Sequence, residues 1–590
     1  MLKTILPIIT AILLFLFFLG IPELSRTEFT AFSPLRKREG RTQKGKHLDR
    51  TDAAIMAAFI LVFGFIDFYR LGNTQSVLTY TNMNEKQAVF SFHESIVPNE
   101  IHLFTGAGHG TYSFEFSPDG ENYFSAGSFT QESDQVFRWA TVYPTIRGEY
   151  RFLRITGFGD AWLGEVCITN DDNELISGTC SIGELTDEQA MFCASYSFMN
   201  STYFDEIYHA RTAWEHLNGV YPYEISHPPL GKLIIAAGIA LFGMTPFGWR
   251  FSGTFFGVMM LPAMYILLKK MFGSRRAATA GTLVFATDFM HFVQTRISTI
   301  DTYSVFFILL MYLFMYIYIS EDRPAALAMC GISFGLGAAA KWTSIYAGVG
   351  LAVIWLIYHI VNREEGFSHF IRNVLFCFVF FIIIPSCIYY VSYIPYGRAQ
   401  GITNLLSRDY LSIVLSNQKY MFNYHSGLVA THPYSSKWYQ WVLDIRPILY
   451  YLEYFDGNTG RVSFGAFVNP ILCWGGLLVL FPVIYKAILH RDRNAIFIVI
   501  GYFSQLAPWM LISRLTFEYH YFPSTLFLVM AIAYIFSMME KDSRHYKIYI
   551  WGFAGCSAAL FLLFFPVLAG LKVDNVFASS VFGWLPTWPF

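Results

Sequence analysis

Residues 302–320 read TYSVFFILLMYLFMYIYIS, without one charged side chain. A helix needs about 20 mostly apolar residues to cross a bilayer, and this run meets that length. Polar turns bound it, TRISTID (295–301) before and EDRP (321–324) after, and beyond each turn another apolar run begins. Reading outward gives spans at 2–20, 53–70, 249–270, 278–295, 302–320, 325–344, 346–362, 373–395, 470–489, 495–513, 524–539 and 547–569. The run 233–243 is too short to span and reads as a helix lying at the interface. The first span starts MLK and stays apolar to Gly20, as a signal peptide does, but no clear small-residue cleavage site follows, so it is read as an uncleaved helix.

Composition agrees. The chain has 590 residues, 54% hydrophobic, 18% aromatic and only 14% charged, whereas soluble domains carry roughly 25% charged residues. A formal charge of −1 supplies no basic field for nucleic acid. The eight cysteines form no CxxC pair and no Cys/His metal spacing. Cys330, Cys377, Cys387, Cys473 and Cys556 lie in apolar runs and read as inert core thiols, and the odd trio Cys167, Cys180 and Cys193 argues against a tight disulfide framework.

Lysines and arginines of short loops set the orientation. The loop 22–52 carries Arg36, Lys37, Arg38, Arg41, Lys44, Lys46 and Arg50, and KKMFGSRR (269–276), NREEGFSHFIRN (362–373), HRDRN (490–494) and EKDSRHYK (540–547) fall on the same side, read as cytoplasmic. Every conspicuous polar cluster then faces the other side: the pair Asp205 and Glu206 in YFDEIYHAR (203–211), His227 in ISHPPLGK (225–232), Arg296 and Asp301 in TRISTID, Lys341, HSGLVATHPYSSKW (425–438) and RLTFEYHYFPS (514–524). Loops are polar in any case; Arg, His and Asp within apolar flanks suggest in addition one site assembled from several loops.

The stretch 72–200 has another character, polar and alternating. HLFTGAGHGTYSFEFSPDGENYF (102–124) carries the hairpin signal SPDG, and GEYRFLRITGFG (148–159) and WLGEVCIT (162–169) read as further strands. Such spacing predicts a β-sandwich. Through YSFEFSPDGENYF, YRFLRITG and LGEV it is similar to discoidin-like carbohydrate-binding modules, which implies a glycan or a partner as its ligand; a spacer that covers the site is the other reading. The organisation is therefore an extra helix and basic loop (1–52), a first core helix (53–71), the sandwich in the first outer loop (72–200), the Asp-Glu loop and a helical module (201–395), an outer loop (396–469) and C-terminal helices (470–590).

The membrane part resembles the protein O-mannosyltransferases, of the GT-C class of membrane glycosyltransferases, through FDEIYHA (204–210), HPPLGK (227–232), FGWRFSG (247–253), TRISTIDTY (295–303), GLGAAAKWT (335–343), ATHPYSSKWYQW (430–441), IRP (445–447), NPILCWGG (469–476) and RLTFEYHYFPS (514–524). The combination of HPYSSKW with YHYFP separates this family from other GT-C members. The resemblance implies a polytopic helical fold of about eleven or twelve spans, a polyprenyl-phosphate sugar donor, a Ser/Thr-containing protein or peptide acceptor, and contact with membrane lipid. The chain departs from the family in its extra first span and in lacking room within 396–469 for the β-trefoil of the eukaryotic enzymes, so it reads as a bacterial member.

The expected chemistry follows. A sugar on a lipid phosphate already has a leaving group; the enzyme must activate the hydroxyl and neutralise the phosphate. Asp205 is read as the base. Glu206, its neighbour, positions the loop, orients the acceptor or holds a cation; a divalent cation on the pair is conceivable, but no metal or other cofactor is required. The alternative is two favourable acidic residues at a helix start. Arg250, Arg296, Lys341 and Arg514 are read as phosphate ligands, against the alternative of snorkelling to headgroups. His227 touches donor or acceptor, or holds backbone. Asp301 pairs with a nearby base and fixes its turn. His432 and His520 are supporting residues, and with His425 they lack metal-motif spacing. A single base fits inversion; double displacement needs a second carboxylate as nucleophile. A lipid or cell-wall glycan acceptor, a transporter and a glycan-binding surface protein are the competing functions. No internal repeat supports the transporter, and an anchored binding protein needs one helix only.

Overall fold

The computed structural model describes residues 2–21, 47–362 and 367–590. Most of the basic residues of the 22–52 loop, and part of NREEGF, fall outside them. The described chain forms two compact units: residues 1–69, 225–231 and 253–590, and residues 70–224 and 232–252.

Among the described residues nine helices, all wholly or mostly in the first unit, are long and apolar enough to cross a membrane: Leu2–Leu19, Arg50–Phe68, Pro246–Phe272, Asp301–Glu321, Ser344–Val361, Phe370–Ala399, Pro470–Leu489, Glu518–Asp542 and Tyr546–Leu568. The third of these begins within the other unit. Three of the twelve runs read from sequence are not in this set. The run 278–295 is two helices, Arg275–Ala286 and Phe289–Arg296, because Asp288 turns its carboxylate onto the amide of His291 and starts a new helix. Pro324–Ala340, with 17 residues, is one residue shorter than the shortest of the set, and Arg493–Met510 is diluted by Arg493, Asn494 and Gln505. Proline at the first helical position opens several of these helices. The segment 396–469 holds a helix, Arg408–Gly427, and a hairpin of Ile448–Phe455 against Gly460–Ala466. All eight cysteines are free thiols, and Cys387, expected in a core, is exposed.

The second unit is built on nine strands: β1 (Thr81–Asn82), β2 (Gln87–Ile96), β3 (Glu100–Gly108), β4 (Gly110–Ser117), β5 (Phe124–Gln131), β6 (Arg138–Val142), β7 (Tyr150–Phe158), β8 (Ala161–Thr169) and β9 (Gly178–Cys180). They form two antiparallel sheets, ordered β1-β8-β3-β6 and β5-β4-β7-β2-β9. Alternating residues such as Phe90, Phe114, Phe116, Leu153 and Ile155 from one sheet and Ile101, Leu103, Leu163 and Val166 from the other fill the space between. At the SPDG turn, Asp119 accepts the amides of Glu121 and Asn122, and its carboxylate holds the loop closed. The first and last residues of the insert meet: Asn73 N donates to Met199 O at 2.8 Å.

A helix, Glu206–Leu217, packs onto this sandwich rather than standing apart from it. Trp214 meets the rings of Tyr80, Phe137 and Trp162 at 5.6, 5.9 and 5.4 Å. Arg211 reaches Ser133 O and pairs with Glu215 at 2.8 Å. The sandwich is thus a structural platform for the helix that begins at the Asp-Glu pair, which a mere spacer is not. Trp214→Ala is expected to destabilise this unit by about 3–5 kcal/mol, visible as a lower unfolding midpoint of the purified chain in detergent.

Candidate functional site

The Asp-Glu pair divides at a helix start. Phe204 takes a left-handed backbone, φ 48°, uncommon for a bulky residue, and it turns the chain into Glu206–Leu217. Asp205 is the residue before the first turn, and its half-exposed side chain makes no capping hydrogen bond. Glu206 is fully buried and points elsewhere. Its carboxylate takes Arg250 Nε and Nη2, both at 2.7 Å, and Trp249 Nε1 at 3.1 Å. The remaining Arg250 donors go to the carbonyls of Leu71 and Phe198 through Nη1 and of Ser201 through Nη2. Every N–H of that guanidinium is occupied.

Two expectations are corrected here. Arg250 is not a phosphate ligand: a fork with no donor left, 1% exposed, has nothing to offer an anion. Glu206 neither orients an acceptor nor holds a cation, because it neutralises that arginine. This geometry leaves Glu206 to hold its own segment in place. Lys232 of HPPLGK is likewise internal, buried against Glu224 at 2.5 Å.

The first unit contains a separate cavity of about 350 Å³. Ser226, His227 and Pro228 form one wall, Lys341, Trp342, Thr343 and Tyr346 another, Phe422 and His425 a third, and Trp509 with Ser513 and Arg514 the fourth. The two prolines after His227 keep that strip extended. Lys341 caps the helix that ends at Ala340 and donates to Asp301 at 2.7 Å. Arg514 spends only Nη1, on Leu515 O at 3.3 Å. His425 Nε2 bonds Ser226 O at 2.8 Å, and its ring lies 5.1 Å from that of His227. Burial first, then the charges of His227, Arg514 and Lys341, push the His425 imidazole down to about 4. It is therefore a neutral hydrogen-bonding group near pH 7. No carboxylate lines this cavity. Two fixed cations and a ring of aromatic and apolar side chains make it a receptor for an anion carried on an apolar body.

A narrower space beside it is lined by Asp301, Ser304, Thr343, Tyr346, Gln505, Trp509 and His520. His520 is clasped between Trp509 and Tyr519, ring centroids at 4.3 and 4.5 Å, and its Nδ1 serves the Phe517 turn. Arg296 does not line the larger cavity; it is buried and donates to Tyr69 O at 2.7 Å. His432 does not line it either. It accepts the Tyr434 amide through Nδ1 and meets the Phe517 ring edge-on at 5.0 Å. The structure thus brings His227, Lys341 and Arg514 together, with Asp301 behind Lys341, and leaves Arg250, Arg296 and His432 outside. Sequence reading placed Trp342 beside Lys341 at an outer helix end but missed Tyr346, Phe422 and Trp509; single aromatics in aromatic-rich helices give no signal. Among the described residues, the group of carboxylates close enough to share a cation is Glu165, Asp187 and Glu188 in the sandwich. There Glu188 already accepts the amides of Leu78 and Thr79.

A helical membrane body with a cationic, aromatic pocket at the helix ends defines a membrane transferase of the GT-C glycosyltransferase fold. Residues 226–389 match the family model described as dolichyl-phosphate-mannose-protein mannosyltransferase. Residues 410–588 match that of the C-terminal four-span region of protein-O-mannosyltransferase. The chain belongs to the protein O-mannosyltransferase family and is a glycosyltransferase. It is similar to the polyprenol-phosphate-mannose–protein mannosyltransferase of Mycobacterium tuberculosis, 24% identical over 65% of this chain and 86% of the relative. The protein of the same name from Corynebacterium glutamicum is 21% identical over 62% and 81%. In fold it is similar to a protein O-mannosyltransferase complex of S. cerevisiae bound to the sugar donor, TM-score 0.59, 14% identical, over 66% of this chain and 89% of that one.

Two outcomes are expected. Arg250→Ala leaves the buried Glu206 carboxylate without its guanidinium, a loss of about 3–5 kcal/mol, while Glu206→Leu with Arg250→Met together recovers only part of it, because the carbonyls of Leu71, Phe198 and Ser201 still lose their donor; unfolding midpoints of the wild type and the two variants distinguish these. For His425, the unfolded chain binds a proton below about 6.5 and the folded chain only near 4. Stability therefore falls as pH drops through that window, and a plot of unfolding midpoint against pH is shallower there for His425→Gln.

Proposed function

We propose that the protein moves mannose from a polyprenyl phosphate to the hydroxyl of Ser or Thr in exported proteins, on the extracytoplasmic face of a bacterial plasma membrane, with inversion at the anomeric carbon. The observation that carries this is the cavity of His227, Lys341 and Arg514, cationic, free of carboxylates and walled by Trp342, Tyr346, Phe422 and Trp509. Its chemistry suits a phosphate on a hydrocarbon tail. The relatives' names supply mannose and the protein acceptor. The side of the membrane follows from the basic loops.

In this reading the acceptor oxygen bonds to the sugar's C1 as the C1–O bond to phosphate breaks. Asp205 takes the hydroxyl proton; its carboxylate is half-exposed at the start of the helix Glu206–Leu217. The departing phosphate gains negative charge, and Arg514 and Lys341 stabilise it. Lys341 is held in place by Asp301, and neutral His425, whose Nε2–H goes to Ser226 O, fixes the strip that carries His227 without adding charge. The reaction needs no metal, since fixed cations do the work a divalent ion does elsewhere.

The test is transfer by the purified chain from polyprenyl-phosphate mannose to a Ser/Thr peptide, read by mass spectrometry. Asp205→Asn is expected to lower turnover by about 10²–10⁴-fold with the unfolding midpoint unchanged; near-normal turnover removes Asp205 as base. Arg514→Ala is expected to raise the donor KM roughly tenfold, and an unchanged KM rejects its phosphate role. Donor consumption without peptide modification transfers the proposal to a lipid or glycan acceptor.

A further inference from the structure

The helix Phe522–Asp542 starts beside the narrow space at His520 and Pro523 and ends, 21 residues or about 30 Å later, at a second cavity. This second cavity measures about 440 Å³. Its walls come from the end of that helix (Glu540, Lys541), the last turn of Pro246–Phe272 (Lys269), the turn at Gly273 and Ser274, and Asp49. It lies among the loops whose basic residues mark the cytoplasmic side.

Lys269 is the group to explain. It is 5% exposed, it lines the cavity, and no acceptor lies within hydrogen-bond or ion-pair distance of its Nζ among the described residues. Buried lysines are ordinarily paired. The carboxylates nearby are already taken. Asp49 accepts the amides of Thr51 and Asp52 and pairs with Arg275. Asp52 holds Arg275 Nε at 2.9 Å and Tyr265 at 2.7 Å. Glu540 is held by Arg276 and by the Ser274 hydroxyl. Lys541, exposed at the rim, pairs with none of them.

The same cavity receives the N-terminus of the helix Arg275–Ala286, twelve residues long and capped by Ser274. Its first amides and its dipole favour an anion there. A buried ammonium without a direct hydrogen-bond partner, a second lysine and a helix N-terminus thus converge where the carboxylates of Asp49, Asp52 and Glu540 face Arg275, Arg276, Lys269 and Lys541, which leaves positive charge in excess. We infer that this cavity binds a phosphate group, either the headgroup of an anionic phospholipid of the adjacent leaflet or a soluble phosphate. It is a site at the far end of the spanning helices from the cavity assigned to the donor.

Native mass spectrometry of the full chain tests this, with protein released from micelles that contain phosphatidylglycerol, phosphatidylcholine or inorganic phosphate. The wild type is expected to retain phosphatidylglycerol over phosphatidylcholine, with retention roughly tenfold weaker in Lys269→Met and in Lys541→Gln. Retention of inorganic phosphate alone, lost in the same variants, supports the site and assigns it a soluble ligand. Equal retention of the two lipids with no phosphate bound, or retention unchanged in both variants, overturns the inference. Lys541 is exposed, so Lys541→Gln keeps the test decisive where Lys269→Met fails to fold.

Discussion

The buried pair of Glu206 and Arg250 is the constraint on which the Asp-Glu segment depends. A guanidinium and a carboxylate out of water each cost several kcal/mol, offset only when geometry and hydrogen bonds are complete. Here they are complete: two bonds to Glu206 and three to carbonyls of Leu71, Phe198 and Ser201. Those carbonyls come from both ends of the inserted sandwich. One arginine therefore gathers the entry strand, the exit strand and the start of the Asp205 helix. Adjacent carboxylates thereby acquire different surroundings, Glu206 sealed and structural, Asp205 half-exposed.

The larger cavity shows the complementary strategy. Of its two cations, Lys341 is held in place by the Asp301 carboxylate, while Arg514 bonds the neighbouring Leu515 carbonyl through Nη1. Charge restrained in this way suits an anion whose charge grows during reaction, because little reorganisation is needed. The histidines beside it stay out of the charge balance, since burial among cations keeps His425 neutral. Polar shape and net charge are thus set by different residues.

Much of this was legible in the sequence because apolar length, hairpin signals and basic loops are local. The spans and the strands of the sandwich were readable from their own neighbourhoods, and Asp301 was expected to pair with a base, though its partner Lys341 lies 40 residues away. Arg250 was misread for a physical reason: an arginine at the end of a span looks the same whether it meets a phosphate or a carboxylate, and its partner lies 44 residues away. The break at Asp288 was invisible for a similar reason, since one capping carboxylate within an apolar run does not alter the run's hydropathy. The aromatic wall of the cavity comes from helices where aromatics are common, so position alone gives them meaning.

The meeting of Asn73 with Met199 has a consequence for how such a chain can change. Closing a long loop costs conformational entropy that grows with its length, but an insert whose ends already touch brings its own closure. The host then sees a gap no wider than a hydrogen bond, whatever the size of what is placed there. A membrane transferase built in this way can exchange one folded domain for another at this position without lengthening or shortening the span between its first core helix and its Asp-Glu segment. What limits the exchange is the surface offered to Trp214, not the path of the chain.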